Sequence, residues 1–176
     1  MNFLDKGSTP FTSTMLKMVK TSYGEVKKLS SPEAAYIAAL IDGEGTITLT
    51  RHNNSEYRRL EVGISNTELK LIKWVKDLLG SGQIKFKRAH NKKCKICYTY
   101  RICNRQAFNV LIQILPYLQT YKRERAKLIL KNYIRLTPRN GKYSSKIFNQ
   151  RKKFIEAFFA IPGSNKIRKV DTCALI

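Results

Sequence analysis

The chain has 176 residues, 43% of them hydrophobic, with 34 Lys and Arg against 12 Asp and Glu and a formal net charge of +22. That length holds one good core with flexible ends and is short for two full domains. So large an excess of cations marks a polyanion partner, nucleic acid first, although ribosomal assembly or an anionic membrane surface explains the charge equally well. No apolar run approaches the roughly 20 residues that span a bilayer, and the N-terminus lacks the basic-then-apolar order of a secretory signal; a soluble, non-secreted chain is expected.

Residues 1–29 are polar and basic without sustained periodicity and read as an N-terminal tail, with a short helical piece over 14–20. Ser30-Ser31-Pro32-Glu33 then announces a helix: a serine cap, proline in the first turn, and an acid near the positive end of the dipole. It runs to about Asp42. Its Ala35, Ala38 and Ala39 fall three or four apart on one face, which suits either close approach of a second helix or ordinary core packing. From Thr46 the period becomes two, with Ile47 and Leu49 alternating with Thr46, Thr48 and Thr50. After a polar loop over 51–56, a return strand turns Leu60, Val62 and Ile64 inward and Tyr57, Arg59, Glu61 and Gly63 outward.

A second helix is expected from Asn66 to Leu79, burying Leu69, Ile72, Val75 and Leu79 and stopped by Gly80. A strand from Gln83 to Arg88 points Ile84 and Phe86 in and Gln83, Lys85 and Lys87 out. Past a basic turn at 90–95, the strand from Cys97 to Cys103 turns Tyr98, Tyr100 and Ile102 in and Thr99 and Arg101 out. Helices over 105–117, 122–135 and 145–160 follow, separated by Pro116 and by the Pro138 to Gly141 turn. A basic tail fills 162–176. The order predicts an α+β domain over 30–161, αββαββα, in which a four-stranded antiparallel, saddle-shaped sheet has its helices on one face and a charged opposite face.

The four cysteines are Cys94, Cys97, Cys103 and Cys173. Cys94-Lys95-Ile96-Cys97 has zinc-ligand spacing, with His90 and Cys103 nearby. The second C-x-x-C pair is absent, so reduced thiols at a hairpin are expected. Neither His52 nor His90 has an evident carboxylate partner, which disfavours histidine-driven catalysis. The most informative stretch is Tyr36-Ile37-Ala38-Ala39-Leu40-Ile41-Asp42-Gly43-Glu44-Gly45, where an Ala-packed helix runs into an acid between two glycines and then into a strand. It presents a metal-binding carboxylate at a helix end, in a chain otherwise built to meet a polyanion.

The stretch from Ile37 to Gly45 resembles the motif of the LAGLIDADG homing endonucleases, and the order of elements from Thr46 to about Ala160 is similar to that family's fold. Ala39 stands where the family often has glycine and Glu44 where it often has aspartate, which keeps the charge and adds one methylene. A single motif copy implies a homodimer whose motif helices pack on a two-fold axis, and a small-residue face at Ala35, Ala38 and Ala39 suits such self-pairing. The resemblance implies a magnesium-dependent enzyme, with other divalent cations possible, that makes a staggered cut across the minor groove of a long, partly palindromic DNA site. It also implies an intron- or intein-encoded origin inside an organelle or a prokaryotic cell, with no membrane partner and no small-molecule substrate. Two chains carry twice +22, while a duplex footprint of roughly 70 Å at one phosphate per ~1.7 Å carries about 40 charges, so binding should weaken steeply with salt.

Hydrolysis of a phosphodiester needs charge stabilisation on the attacking and leaving oxygens, which carboxylate-held divalent ions supply. Glu44 is the expected metal carboxylate, and the resemblance adds the Gly43 carbonyl. Lys122 lies in a segment that looks like the one supplying the family's active-site lysine, with Arg123 or Tyr121 as alternatives and a solvated helix start as the plain reading. Asn66 resembles the residue holding the nucleophilic water and also makes a natural helix cap; Lys70 is a further candidate basic group. DNA reading would fall to Thr46, Thr48, Thr50, His52, Asn54, Tyr57, Arg59 and Glu61 of the first hairpin and Lys85, Lys87, Arg88, Thr99 and Arg101 of the second. Arg suits guanine, Asn adenine and Glu cytosine, while Lys87 and Arg88 suit phosphate. A non-cleaving relative, an intron maturase or transcription regulator, is the alternative, and a basic RNA-binding protein leaves the Asp42 to Gly45 arrangement without a purpose.

Overall fold

The computed structural model describes residues 18, 24–51, 58–87, 96–139, 143–161 and 163, with Lys87 described by its backbone alone. In chain order the elements are α1 (Ser31–Glu44), β1 (Gly45–Arg51), β2 (Arg58–Asn66), α2 (Leu69–Leu79), β3 (Gln83–Lys87) and β4 (Cys97–Cys103). There follow α3 (Asn104–Ile114), a 3-10 turn at Leu115–Tyr117, α4 (Tyr121–Asn132) and α5 (Ser145–Ala160). All strand pairs are antiparallel in the order β1-β2-β4-β3, so the two hairpins join through their second strands. The expected α+β arrangement of a four-stranded antiparallel sheet with helices on one face is the one observed.

The period-two residues do what their spacing dictates. Ile47, Leu49, Leu60, Val62, Ile64, Tyr100 and Ile102 are buried beneath the helices, against Ile37 and Ile41 of α1, Ile72, Val75 and Leu79 of α2, and Val110, Leu111 and Ile114 of α3. Ser30 opens α1: its N–H and hydroxyl both donate to the Glu33 carboxylate, at 2.8 and 2.7 Å. These bonds, the backbone one foremost, hold the Glu33 carboxyl below its usual range. Gly80 ends α2 at φ 69°, a left-handed turn that suits glycine. Where β4 ends, Tyr133 takes over: its hydroxyl accepts the Leu60 N–H at 3.0 Å and donates to Asn104 at 3.3 Å. Buried Arg151 of α5 closes the same end, donating to the carbonyls of Leu136 and Arg58 and to the Thr137 hydroxyl.

Several expectations are corrected. α2 starts at Leu69, because Asn66 is still the last residue of β2; its Oδ1 accepts the Glu68 N–H, and Glu68 is the helix cap. The third helix gives way to a 3-10 turn around Pro116, and α4 ends at Asn132. Phe86, expected inside, is 68% exposed, since it lies toward the far end of edge strand β3 while Ile84 packs on the core. Residues 24–29, expected to be tail, are stitched to the domain. Val26 is buried, the Lys27 N–H donates to the Leu79 carbonyl, and the Leu29 N–H donates to Gln113. The helical piece over 14–20, apart from Met18, and the basic tail, apart from Gly163, lie outside the described residues. No helix among the described residues is long and apolar enough to cross a membrane.

Candidate active site

α1 runs without interruption to Glu44 and β1 begins at the next residue. Gly45 permits that junction: a Cβ there would sit 2.5 Å from the Ile41 Cα in the last turn of α1 and 3.0 Å from the Gly63 carbonyl oxygen of the paired strand β2, so no side chain fits where the helix passes into the strand. The strand register sets Gly45 opposite Ile64 and Ser65 opposite Thr99, which brings Ser65 and Asn66 to the end of the sheet at which Glu44 emerges. Ser65 and Thr99 share a hydrogen bond of 2.9 Å there.

Two acids two residues apart meet different fates. Asp42 accepts the Gln119 N–H at 2.7 Å and the Thr120 hydroxyl at 2.5 Å, so it ties the end of α1 to the N-cap of α4. In return Lys122, in the first turn of α4, donates its ammonium to the Ile41 and Asp42 carbonyls at 2.7 and 2.9 Å. Each charge is unfavourable at its own helix end and favourable at the other's: the carboxylate lies at the positive start of α4 and the ammonium at the negative end of α1. Burial pushes the Lys122 ammonium below its usual range, Asp42 pulls it back up, and Arg125 adds to the lowering. Glu44, by contrast, is exposed and has no hydrogen bond or ion pair among the described residues.

The expected site residues therefore divide. Glu44, the Gly43 backbone before it, Lys122 and Asn66 gather where α1 meets the sheet, but Lys122 is buried with its ammonium on backbone carbonyls, and the adjacent Arg123 is the exposed cation. Lys70 does not join them. It lines a groove with Pro32, Glu33, Tyr36, Leu71 and Trp74, and Tyr36 lies about 12 Å of helix before Glu44. The reciprocal clasp of Asp42 and Lys122 escaped the sequence reading; the acid beside the motif glycine was its visible half.

The alanine stripe is also divided. Ala38 is fully buried in the chain's own core and cannot lie on an outer seam, whereas Ala35 is half-buried and Ala39 exposed. The outward face is Pro32, Ala35, Tyr36, Ala39, Leu40 and Gly43, so α1 is apolar on both its inner and its outer sides.

On the open face of the sheet, Thr46 and Lys85 are exposed, and Thr48, Thr50, Arg59 and Arg101 are half-buried. Thr99 and Glu61, expected to face a base, are instead buried. Thr99 pairs with Ser65, and Glu61 lies among Arg59, Arg101, Thr50 and Cys103. Beside this face a cavity of about 700 Å³ is lined by Arg59, Arg101, Arg105, Arg139 and Lys85, with Glu61 its one acid among the described residues. His52, Asn54, Tyr57 and Arg88, with His90, Cys94 and Cys173, lie outside the described residues, as does the Lys87 side chain. Cys97 and Cys103 stand at opposite ends of β4, about 20 Å apart, too far to share a zinc ion. Among the described residues no three His, Cys, Asp or Glu side chains group to hold a metal.

A motif helix ending in an exposed acid beneath a four-stranded antiparallel sheet with one basic open face defines the αββαββα class. Residues 31–115 match the family model described as a LAGLIDADG-like domain. Those residues, α1 through α3, therefore form a LAGLIDADG-like domain. Its fold is similar to that of the homing endonuclease I-CvuI, solved in complex with its target in the presence of calcium, with TM-score 0.61 and 18% identity over 77% of this chain and 85% of that one. It is also similar to the LAGLIDADG homing endonuclease I-GzeII in complex with its DNA target, with TM-score 0.55 and 17% identity over 74% of this chain and 45% of that one. The archaeal intron-encoded homing endonuclease I-Vdi141I, complexed with DNA, gives TM-score 0.50 and 14% identity over 74% and 84%. No curated protein matches the sequence.

Proposed function

We propose that this protein is a sequence-specific DNA endonuclease that acts as a symmetric pair of chains on a long, pseudo-palindromic duplex site. The observation that carries the reading is Glu44, an exposed acid without a side-chain partner among the described residues, at the end of a helix whose outer face is apolar and, from Ala39 to Gly43, covered by no other described helix. A helix apolar on both sides belongs inside a larger body. Pairing α1 with its symmetry mate would cover Ala35, Ala39 and Gly43 and bring two Glu44 side chains to one seam.

One chain offers a single available acid with the Gly43 carbonyl before it, because Asp42 is committed to α4. That set is half of a divalent-ion site. It fits a hard cation such as Mg2+, which prefers oxygen ligands and keeps several waters, with scissile phosphates completing the shell. The bound ion would stabilise charge on the attacking and leaving oxygens. The chain's own residues do the rest. Glu44 would hold the ion, and Lys122 and Asp42 fix the helix end that presents it. Asn66, whose Oδ1 is taken by the Glu68 N–H, keeps its Nδ2 to orient water or phosphate. The basic sheet face grips the duplex, which agrees with the +22 charge and with relatives solved on DNA.

The test is incubation of the protein with a randomised duplex library and magnesium, alongside Glu44→Gln. Discrete cleavage by the parent, with binding but no cutting by the variant, is expected. Undiminished cleavage by Glu44→Gln overturns the mechanism, and specific binding without cleavage by the parent assigns the fold to a non-cleaving relative.

A further inference from the structure

Among the described residues Glu61 is the one acid lining the cavity beside the open sheet face, and its placement is not that of a base reader. Its side chain is 9% exposed, against 35% and 36% for the flanking arginines. Arg101 approaches Oε1 through Nε at 3.6 Å. Oε2 receives the Thr50 hydroxyl at 3.4 Å and the Cys103 thiol at 3.8 Å, and lies 4.0 Å from the Arg59 Nη2. The register explains the cluster: Arg101 of β4 lies opposite Gly63, whose missing side chain leaves room for the arginine stem to lean across β2 toward Glu61. A Cβ on Gly63 would already touch the Arg101 Cγ at 4.0 Å.

We infer that Glu61 is a positioning residue for sequence recognition: it aims Arg101 as a guanine-reading fork, holds Arg59 beside it as a second reader through a looser contact to one terminal nitrogen, and does not itself contact a base. The inference rests on the proposed DNA-binding role of this face. With Nε turned to the carboxylate, Arg101 keeps its two terminal nitrogens for the O6 and N7 of guanine, the geometry of a bidentate contact. The acid also lowers the positive charge where bases are read, so it opposes indiscriminate attraction to phosphate. An arginine without such an anchor sweeps the groove and settles on the backbone, where it adds affinity without information.

The experiment is selection from a randomised duplex library in EDTA, so that binding is read without cleavage, for the parent, Arg59→Ala, Arg101→Ala, Glu61→Gln, Glu61→Asp and the double variant Arg59→Lys/Arg101→Lys. Base preferences lost singly in Arg59→Ala and in Arg101→Ala should be lost together in Glu61→Gln, with discrimination falling roughly tenfold at each position. Glu61→Gln should bind unselected duplex more tightly than the parent, and its log–log salt slope should steepen by about one. Glu61→Asp should recover part of the preference. The double lysine variant, which keeps every charge, should lose both preferences with its salt slope unchanged. Intact preferences in Glu61→Gln overturn the inference, as does loss of one base pair independent of both arginines, which would make Glu61 a reader in its own right. A parent that enriches no sequence sinks the DNA-recognition reading and this inference with it, so the two failures are distinguishable.

Discussion

An alanine at position 43 should stabilise the single chain and damage the pair. Gly43 lies in the last turn of α1 at an ordinary helical φ, and a Cβ there meets no atom within 4 Å among the described residues. Glycine within a helix is destabilising by roughly 0.5–1 kcal/mol relative to alanine, and a gain near the lower figure is expected so close to the end. Gly45, two residues on, is the control. Its Cβ would meet the Ile41 Cα at 2.5 Å and carbonyl oxygens at 2.9 and 3.0 Å, all backbone, so Gly45→Ala should cost about 1–3 kcal/mol or more. If two α1 helices cross at Gly43, each added methyl enters the crossing and symmetry doubles the insult. At about 1–3 kcal/mol per overpacked site the dissociation constant rises at least tenfold. Urea unfolding at high dilution measures the first effect, and sedimentation velocity over a dilution series measures the second. A lowered urea midpoint for dilute Gly43→Ala, or unchanged self-association, refutes the reasoning.

Asp42→Ala should lower stability by about 2 kcal/mol through the lost bonds to Gln119 and Thr120, while Glu44→Ala, which removes an exposed acid without a partner, should stay within about 0.5 kcal/mol of the parent; urea midpoints at constant m-value compare them. Tyr133→Phe strands the buried Leu60 N–H and should cost about 1–3 kcal/mol, a fall in Tm of roughly 2–12 °C at about 2–4 °C per kcal/mol for a chain of this size, read by calorimetry. Burial pushes the Tyr100 and Tyr133 phenols above their usual range. Their stabilisation is complete below the unfolded value near 10 and is lost as pH climbs above it. The lowered Lys122 acts in the opposite sense, its burial penalty being relieved as pH approaches 10.5. Below about pH 9 the tyrosines change nothing; above about pH 10 the two should outweigh Lys122, so the urea midpoint should hold up to about pH 9 and fall above about pH 10, less steeply in Tyr133→Phe.

What the sequence determined by itself was local. Alternation in Thr46 to Thr50 and in Leu60 to Ile64, the Ser30 cap and Pro32, and the Gly80 stop are written within a few residues of where they act, and the elements they predict are those observed. α5 matches its expected span, Ser145–Ala160. The tertiary structure decided which charges remain available, because that depends on contacts between distant segments. Asp42 and Glu44 look equivalent as residues; the N-terminus of α4, nearly eighty positions along the chain, captures one and leaves the other exposed. Spacing put Ala38 on one face with Ala35 and Ala39, but the sheet beneath α1 claims Ala38 and leaves Ala39 outside. Alternation turned Glu61 outward correctly, and the register between β2 and β4 then enclosed it between two arginines. Periodicity encodes which face a side chain takes; which partner neutralises it is set by how strands and helices far apart in the chain come to pack.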